Sequence, residues 1–239
     1  MDLCYPGTMG YRRVPFAYGE WYHCYSRGID KRIVFTDERD AERFTELLYL
    51  ANDTEPIRRE NFYHRKHEAI LRIPRTHPIV AIGAYSLMRN HYHLLIQEIE
   101  DNGISRFMQK VGTGYSMYFN EKHDRVGNVF VKPFRSKHVS TDTYLYRVAQ
   151  YIHLNAVEIF EHSWKRGKVS NLISLQRKLE KYPFSSFPDY ASDTQRVERN
   201  ILDESARSVL IDRLPRFSVV LAEMRDYYAE LNREFKSKR

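Results

Sequence analysis

The strongest constraint on the fold is a pair of apolar stretches joined by a two-residue break. Pro78 to Met88, PIVAIGAYSLM, reads as a strand, and so does His91 to Gln97, HYHLLIQ. Arg89-Asn90 between them is turn-like, so the two strands form a hairpin. Inside the second strand, His91 and His93 flank Tyr92. Residues at i and i+2 of a strand point to one face, so the two imidazoles stand side by side while Tyr92 points the other way. Two parallel imidazoles on a rigid strand make two of the three ligands of a divalent metal site. The plainer alternative makes His93 a half-buried strand residue and His91 a loop end.

The rest of the chain supplies elements around that hairpin. Residues 1–19, with Pro6, Gly7, Gly10, Pro15 and Gly19, read as an irregular lead-in. Glu20 to Ser26, EWYHCYS, reads as a strand ended by Arg27-Gly28. Asp37 is an N-cap for a helix over Glu38 to Ala51, with Ala41, Phe44, Leu47 and Leu48 at helical spacing. Residues 55–77 are basic, an insertion or a second short helix, with Arg58, Arg59, Arg65, Lys66, Arg72 and Arg75 interrupted by Phe62 and Tyr63. Ser105 opens another helix, whose apolar face holds Phe107, Met108, Val111, Tyr115, Met117 and Tyr118. Gly127 to Phe134 reads as a strand, and Ser140 or Thr141 caps a helix running to about Phe160. The order β-α-β-β-α-β-α predicts an α+β, ferredoxin-like antiparallel sheet with helices on one face.

The main domain then spans 20–163, and 164–239 is a loop and helical extension. Tyr182-Pro183-Phe184-Ser185-Ser186-Phe187 is a loop with aromatic anchors. Leu210, Leu214, Leu221, Met224, Tyr228 and Leu231 recur at helical spacing over 203–237, with Pro215 separating two helices. That tail is suited to pack on the domain or on a partner.

Charge and composition narrow the partner. The formal net charge of +7 points weakly to a polyanion, most simply nucleic acid. Aromatics at 14% of residues suit base stacking as well as core packing. The two cysteines, Cys4 and Cys24, form no C-x-x-C pair, which argues against a zinc knuckle or a disulfide framework and fits a reducing cytoplasm. Met1 to Phe16 lacks the apolar core of a signal peptide, and no apolar run approaches a membrane span.

A metal site on the histidine strand needs a third ligand. Tyr151-Ile152-His153-Leu154-Asn155 offers Tyr151 and Asn155 at i and i+4, on one helix face. Asn155 could join His91 and His93, with Tyr151 beside the metal. Spacing alone favours the plainer reading, in which Asn155 hydrogen-bonds within its helix and Tyr151 is one of many packed tyrosines.

At this point the chain resembles a known family. Ser86-Leu87-Met88-Arg89-Asn90-His91-Tyr92-His93-Leu94-Leu95 resembles the HUH motif of single-tyrosine transposases, in which two histidines flank a bulky residue. Tyr25-Ser26-Arg27-Gly28 is similar to that family's first strand, and Gly127 to Phe134 to its glycine-then-aromatic strand. Tyr151-Ile152-x-x-Asn155 is similar to the helix carrying its nucleophilic tyrosine. The subgroup most like this chain is the REP-associated tyrosine transposases, and the 182–187 segment shares that likeness. The chain departs from the pattern at Ala156 and Arg89, where family members often carry proline.

The resemblance implies a metal-dependent single-stranded DNA endonuclease and strand transferase. Tyr151 would be the nucleophile and His91, His93 and Asn155 the metal ligands. It implies a 5′-phosphotyrosine intermediate and single-stranded or hairpin DNA as partner. This donor set suits Mg²⁺ or Mn²⁺ rather than zinc. Tyr115, Tyr118, Tyr144 and Tyr146 are competing phenols, and His153 is a weaker third ligand. Arg27, Lys132, Arg135 and Lys137 flank the proposed site and would hold DNA phosphates. The expected protein is a monomer or homodimer in the bacterial cytoplasm, associated with the nucleoid and not with a membrane. Two other readings use the same fold: a non-catalytic nucleic-acid-binding regulator, and a replication-initiator or relaxase-type nickase. A metal-dependent hydrolase of small phosphates would need more acidic ligands than the chain offers.

Overall fold

The structure, a computed structural model, describes residues 15–58, 60, 62, 64–164, 169–192, 195–211 and 218–223. Four strands, β1 (Trp21–Arg27), β2 (Val80–Met88), β3 (His91–Glu98) and β4 (Arg135–Val139), form one sheet in the order β2-β3-β1-β4. All three pairings are antiparallel. This is the ferredoxin-like order, so the expected α+β class holds.

The hairpin closes where expected, with Met88 opposite His91 across Arg89-Asn90. The turn is tied down by the segment that follows β1. Gly28 N donates to Asn90 O at 2.8 Å, and Asn90 Nδ2 donates to Lys31 O at 3.0 Å.

Two helices cover one face of the sheet. In α1 (Glu38–Leu50) the Asp37 carboxylate accepts from Asp40 N at 3.0 Å, the N-cap that the sequence predicts. Phe44, Leu47 and Leu48 of α1 meet Phe107, Val111 and Tyr115 of α3 (Gly103–Lys122), all against Tyr85, Tyr92, Leu94 and Ile96. Between them a short helix, α2 (His67–Ile70), lies in the basic 55–77 segment.

The helices-on-one-face expectation describes α1 and α3, and a further layer lies opposite. There α4 (Asp142–Asn155), capped by Thr141, sets Leu145, Val148, Ala149 and Ile152 against Ala84, Leu95 and Val139. Strand β3 is apolar on both faces, and such a strand needs cover on both. After α4 come α5 (Val157–Phe160), α6 (Leu172–Glu180), α7 (Pro188–Ala191) and α8 (Glu204–Ile211). Leu210 of α8 joins the layer with α4.

Three boundaries differ from expectation. The fourth strand is Arg135–Val139, not Gly127 to Phe134, which makes only an isolated bridge from Phe130 to Gly28. Strand β4 sits at the sheet edge with only Val139 buried, so it carries no apolar alternation to read. Val129 and Phe130 are instead core residues fed in from a loop. The third helix begins at Gly103 rather than Ser105, and the helix expected to reach Phe160 breaks at Ala156 into α4 and α5.

The extension packs on this framework. Trp164, Leu175, Leu179 and Phe187 cluster with Leu154, Ala156 and Val157. The 182–187 loop runs along the outer edge of β2, where Leu87 N donates to Phe184 O and Ser186 N to Tyr85 O, both at 2.9 Å. A covered edge strand offers no template to another chain. Leu210 and Leu221 are buried as expected of a packed tail. Leu214, Pro215, Met224, Tyr228 and Leu231 lie outside the described residues, as do Cys4, Pro6, Gly7, Gly10, Arg59 and Tyr63. No helix among the described residues is long and apolar enough to cross a membrane.

Candidate active site

Strand alternation builds the face beneath α4. Trp21, His23, Tyr25 and Arg27 of β1 share it with His91, His93 and Leu95 of β3. The register places His93 opposite Tyr25 and His91 opposite Arg27. On β4, Arg135 pairs with Tyr25 and Lys137 with His23.

The rings form a compact group. His91 and His93 have centroids 5.1 Å apart at 86°. His93 stacks on His23 at 5.0 Å and on Tyr25 at 5.5 Å. Tyr151 of α4 stands edge-on to both, 5.5 Å from His93 and 5.7 Å from His23. The i, i+4 spacing does bring Tyr151 and Asn155 to one stretch of helix, and Asn155 Nδ2 donates to Tyr151 O at 2.8 Å. That is the within-helix bond of the plainer reading, and it directs only the amide nitrogen. The amide oxygen of this buried residue keeps its capacity as a ligand atom.

The hydrogen bonds on the two imidazoles decide which ring atoms could hold a cation. His91 Nδ1 lies 2.7 Å from Asn90 Oδ1, and Asn90 Nδ2 is itself a donor to Lys31 O, so His91 Nδ1 carries the proton. His93 Nδ1 lies 2.8 Å from His23 Nε2. Both imidazoles are therefore held through Nδ1, and ligating histidines are usually oriented in this way by the ring nitrogen that does not bind the metal. Beside them, the buried Ser86 hydroxyl, directly opposite His93, has no hydrogen-bond partner among the described residues. Among the described residues no three His, Cys, Asp or Glu side chains stand together as a metal set. His91 and His93 could give a cation two imidazoles, leaving oxygen ligands to complete its shell, and Asn155 carries a carboxamide one helical turn from Tyr151. That oxygen-rich remainder fits Mg²⁺ or Mn²⁺.

Burial, assisted by the nearby Lys137 charge, lowers the His23 pKa to about 4, so this imidazole is neutral near pH 7. His153 belongs elsewhere. Its Nε2 lies 2.9 Å from Ser186 Oγ, its ring packs on Tyr190, and burial followed by the Arg196 charge lowers its pKa to about 3.

The other expected residues divide by face. Arg27, Arg135 and Lys137 are exposed and share the face of the histidines. Lys132 instead lines a groove with Ser26, Met108, Phe130 and Phe134 on the α3 side. Of the competing phenols, Tyr115 donates to Val34 O and Tyr118 to Asp40 on that opposite side. Tyr144 sits under the Lys137 ammonium, 5.0 Å from its ring centroid. Sequence reasoning missed His23 and Tyr25. The period-two run Trp21-His23-Tyr25-Arg27 was the available signal.

Comparison with known proteins follows this geometry. Residues 51–155 match the family model for IS200-like transposases. No curated protein gives a match. One solved structure, of a REP-associated tyrosine transposase bound to a REP hairpin, aligns at 16% identity over 83% of this chain and 96% of its own, with a TM-score of 0.48. The matched stretch contains the whole hairpin and α4. Over the residues that carry His91, His93, Tyr151 and Asn155, this chain is similar to the IS200-like transposases, and the resemblance read from its motifs stands.

Proposed function

We propose that the protein cuts and rejoins single-stranded DNA, with Tyr151 as nucleophile and His91, His93 and Asn155 as ligands of Mg²⁺ or Mn²⁺. The observation that supports this is the edge-on approach of the Tyr151 ring to His93, at 5.5 Å, on the face that both histidines share. The IS200-like transposase match over the same residues supports it further.

The bound cation would supply charge stabilisation at a non-bridging phosphate oxygen. The chain's own groups do the rest. Helix α4, anchored by Val148 and Ile152, holds the phenol over the strands. The Tyr151 oxygen forms a bond to phosphorus as the bond to the 3′-oxygen breaks, and the phenolic proton passes to water. The products are a 5′-phosphotyrosine and a free 3′-hydroxyl. The phosphoester on tyrosine keeps the energy of the broken bond, so another 3′-hydroxyl can displace the phenol and rejoin a strand without ATP. Arg27, Arg135 and Lys137 are placed to hold flanking phosphates. Hairpin or palindromic repeat DNA is the substrate that the motif resemblance favours.

The test is incubation with single-stranded hairpin DNA and Mn²⁺, followed by a denaturing gel. A covalent protein–DNA band is expected, and Tyr151→Phe is expected to remove it. An adduct that persists in the Phe variant overturns the nucleophile assignment.

A further inference from the structure

We propose that an arginine-lined cleft at the far end of β2 grips a second stretch of DNA backbone, at a distance from Tyr151. The inference rests on the DNA-processing reading above. The cleft, about 630 Å³, opens between the segment entering β2 and the 3-10 turn Val197–Ile201. Tyr49, Arg72, Arg75, Arg199 and Asn200 are among its lining residues.

The charges there do not cancel. Of the lining acids, Asp203 caps α8, accepting from Ala206 N at 3.0 Å and Ser205 Oγ at 2.5 Å, and its charge offsets part of that of Arg75. Glu204, two-thirds exposed, is shared between Arg199 at 3.2 Å and Arg207 at 3.1 Å. Arg196 is taken up by Asp189 at 2.6 Å. Arg72 is exposed and its side chain has no ion pair or hydrogen bond among the described residues. Arg75 lies on the Tyr49 ring, 4.4 Å from its centroid, and donates through Nη2 to Asn200 O at 3.2 Å. Its Nη1 is buried without an acceptor. A planar guanidinium fixed on an aromatic ring, beside the exposed guanidinium of Arg72, is chemistry suited to phosphate oxygens.

Position points to nucleic acid rather than a small phosphate. Asp203 of the cleft wall donates its N–H to Ile82 O near the start of β2, at 3.0 Å, whereas Met88 at the other end of the strand faces His91. The strand spans nine residues, so the two places are about 26 Å apart at ~3.3 Å per residue. One strand of duplex covers that distance in about eight nucleotides at ~3.4 Å each. A hairpin stem can therefore reach the arginines while its single-stranded flank lies over the histidines.

The experiment compares wild type with Arg72→Ala/Arg199→Ala and with the charge reversal Arg72→Glu, all checked for unchanged melting temperature. Arg72 is exposed, so its reversal keeps the test valid if the double variant folds poorly. Binding is read by fluorescence anisotropy over a salt series, with a hairpin bearing about eight base pairs and with a short single strand that cannot span the distance. The hairpin is expected to bind about ten-fold more weakly to the variants, with the salt slope shallower by about one per lost phosphate contact. The short strand is expected to bind as in wild type. Unchanged hairpin affinity and slope overturn the proposal. So does a melting temperature raised by inorganic phosphate in wild type alone, with DNA binding unaltered, since that result marks a small-anion site. Adduct formation on the short strand reads the Tyr151 chemistry separately. Its failure, with the hairpin effect intact, removes the nuclease reading and leaves the cleft standing.

Discussion

His23 Nε2 and His93 Nδ1 lie 2.8 Å apart beneath α4, so that two imidazoles share one hydrogen bond within the buried face. In the tautomer in which neutral His23 accepts from His93 Nδ1–H, the lone pair of His93 lies on Nε2. Replacing His23 by Leu keeps the volume roughly constant and removes the acceptor. Loss of such an orienting partner is expected to weaken Mn²⁺ binding by about 10–100-fold, read by isothermal titration. His23→Gln, which retains a hydrogen-bonding group, is expected to recover part of that loss.

The direct ligands should behave more severely. His91→Ala and His93→Ala are each expected to lower the adduct-forming rate by at least about a hundred-fold, the order of effect of losing transition-state charge stabilisation. Chelation by EDTA is expected to stop wild type, and added Mn²⁺ to restore it but neither histidine variant. Tyr25→Phe, which keeps the ring that stacks on His93, is expected to retain the adduct.

A pH effect on stability follows from His67, far from this site. Burial lowers its pKa, but ionic hydrogen bonding to Glu198 and Glu46 outweighs burial and raises it to about 9. Its Nδ1 lies 3.3 Å from Glu46 and its Nε2 3.6 Å from Glu198, linking α2 to α1 and to the 197–201 turn. The folded-state pKa exceeds the unfolded one, so the stabilisation is fully present below about pH 6.5 and is lost as pH rises through about 9. The loss should be about 2 kcal/mol, or about 5 °C in melting temperature. Thermal melts of His67→Gln across that range are expected to lack this step.

Two glycines of α3 should respond in opposite directions. A Cβ on Gly103 would lie 2.1 Å from Ile79 O, a backbone atom that cannot swing aside. Gly103→Ala is expected to destabilise the fold by about 2–3 kcal/mol through forced overpacking. At Gly112 a Cβ meets nothing within 4 Å. Gly112→Ala should stabilise by about 0.5–1 kcal/mol through helix propensity and a less floppy unfolded chain. Urea unfolding of both variants checks the pair.

What the sequence revealed, and what it concealed, has a physical pattern. The β2–β3 hairpin, the Asp37 and Thr141 caps and the faces of α1 and α3 were legible, because alternation, capping chemistry and helical periodicity are local. Strand β4 was not, because an exposed edge strand such as Arg-Ser-Lys-His-Val needs no apolar face. His23 and Tyr25 were visible as letters but not as neighbours of His93, since strand register is set by pairing some 70 residues apart. The break at Ala156 was equally hidden, the sequence there continuing in helix formers.

The path of α4 back over its own sheet carries one more consequence. Phenol and imidazoles meet within a single polypeptide, so a mixture of Tyr151→Phe with His93→Ala molecules should show no complementation.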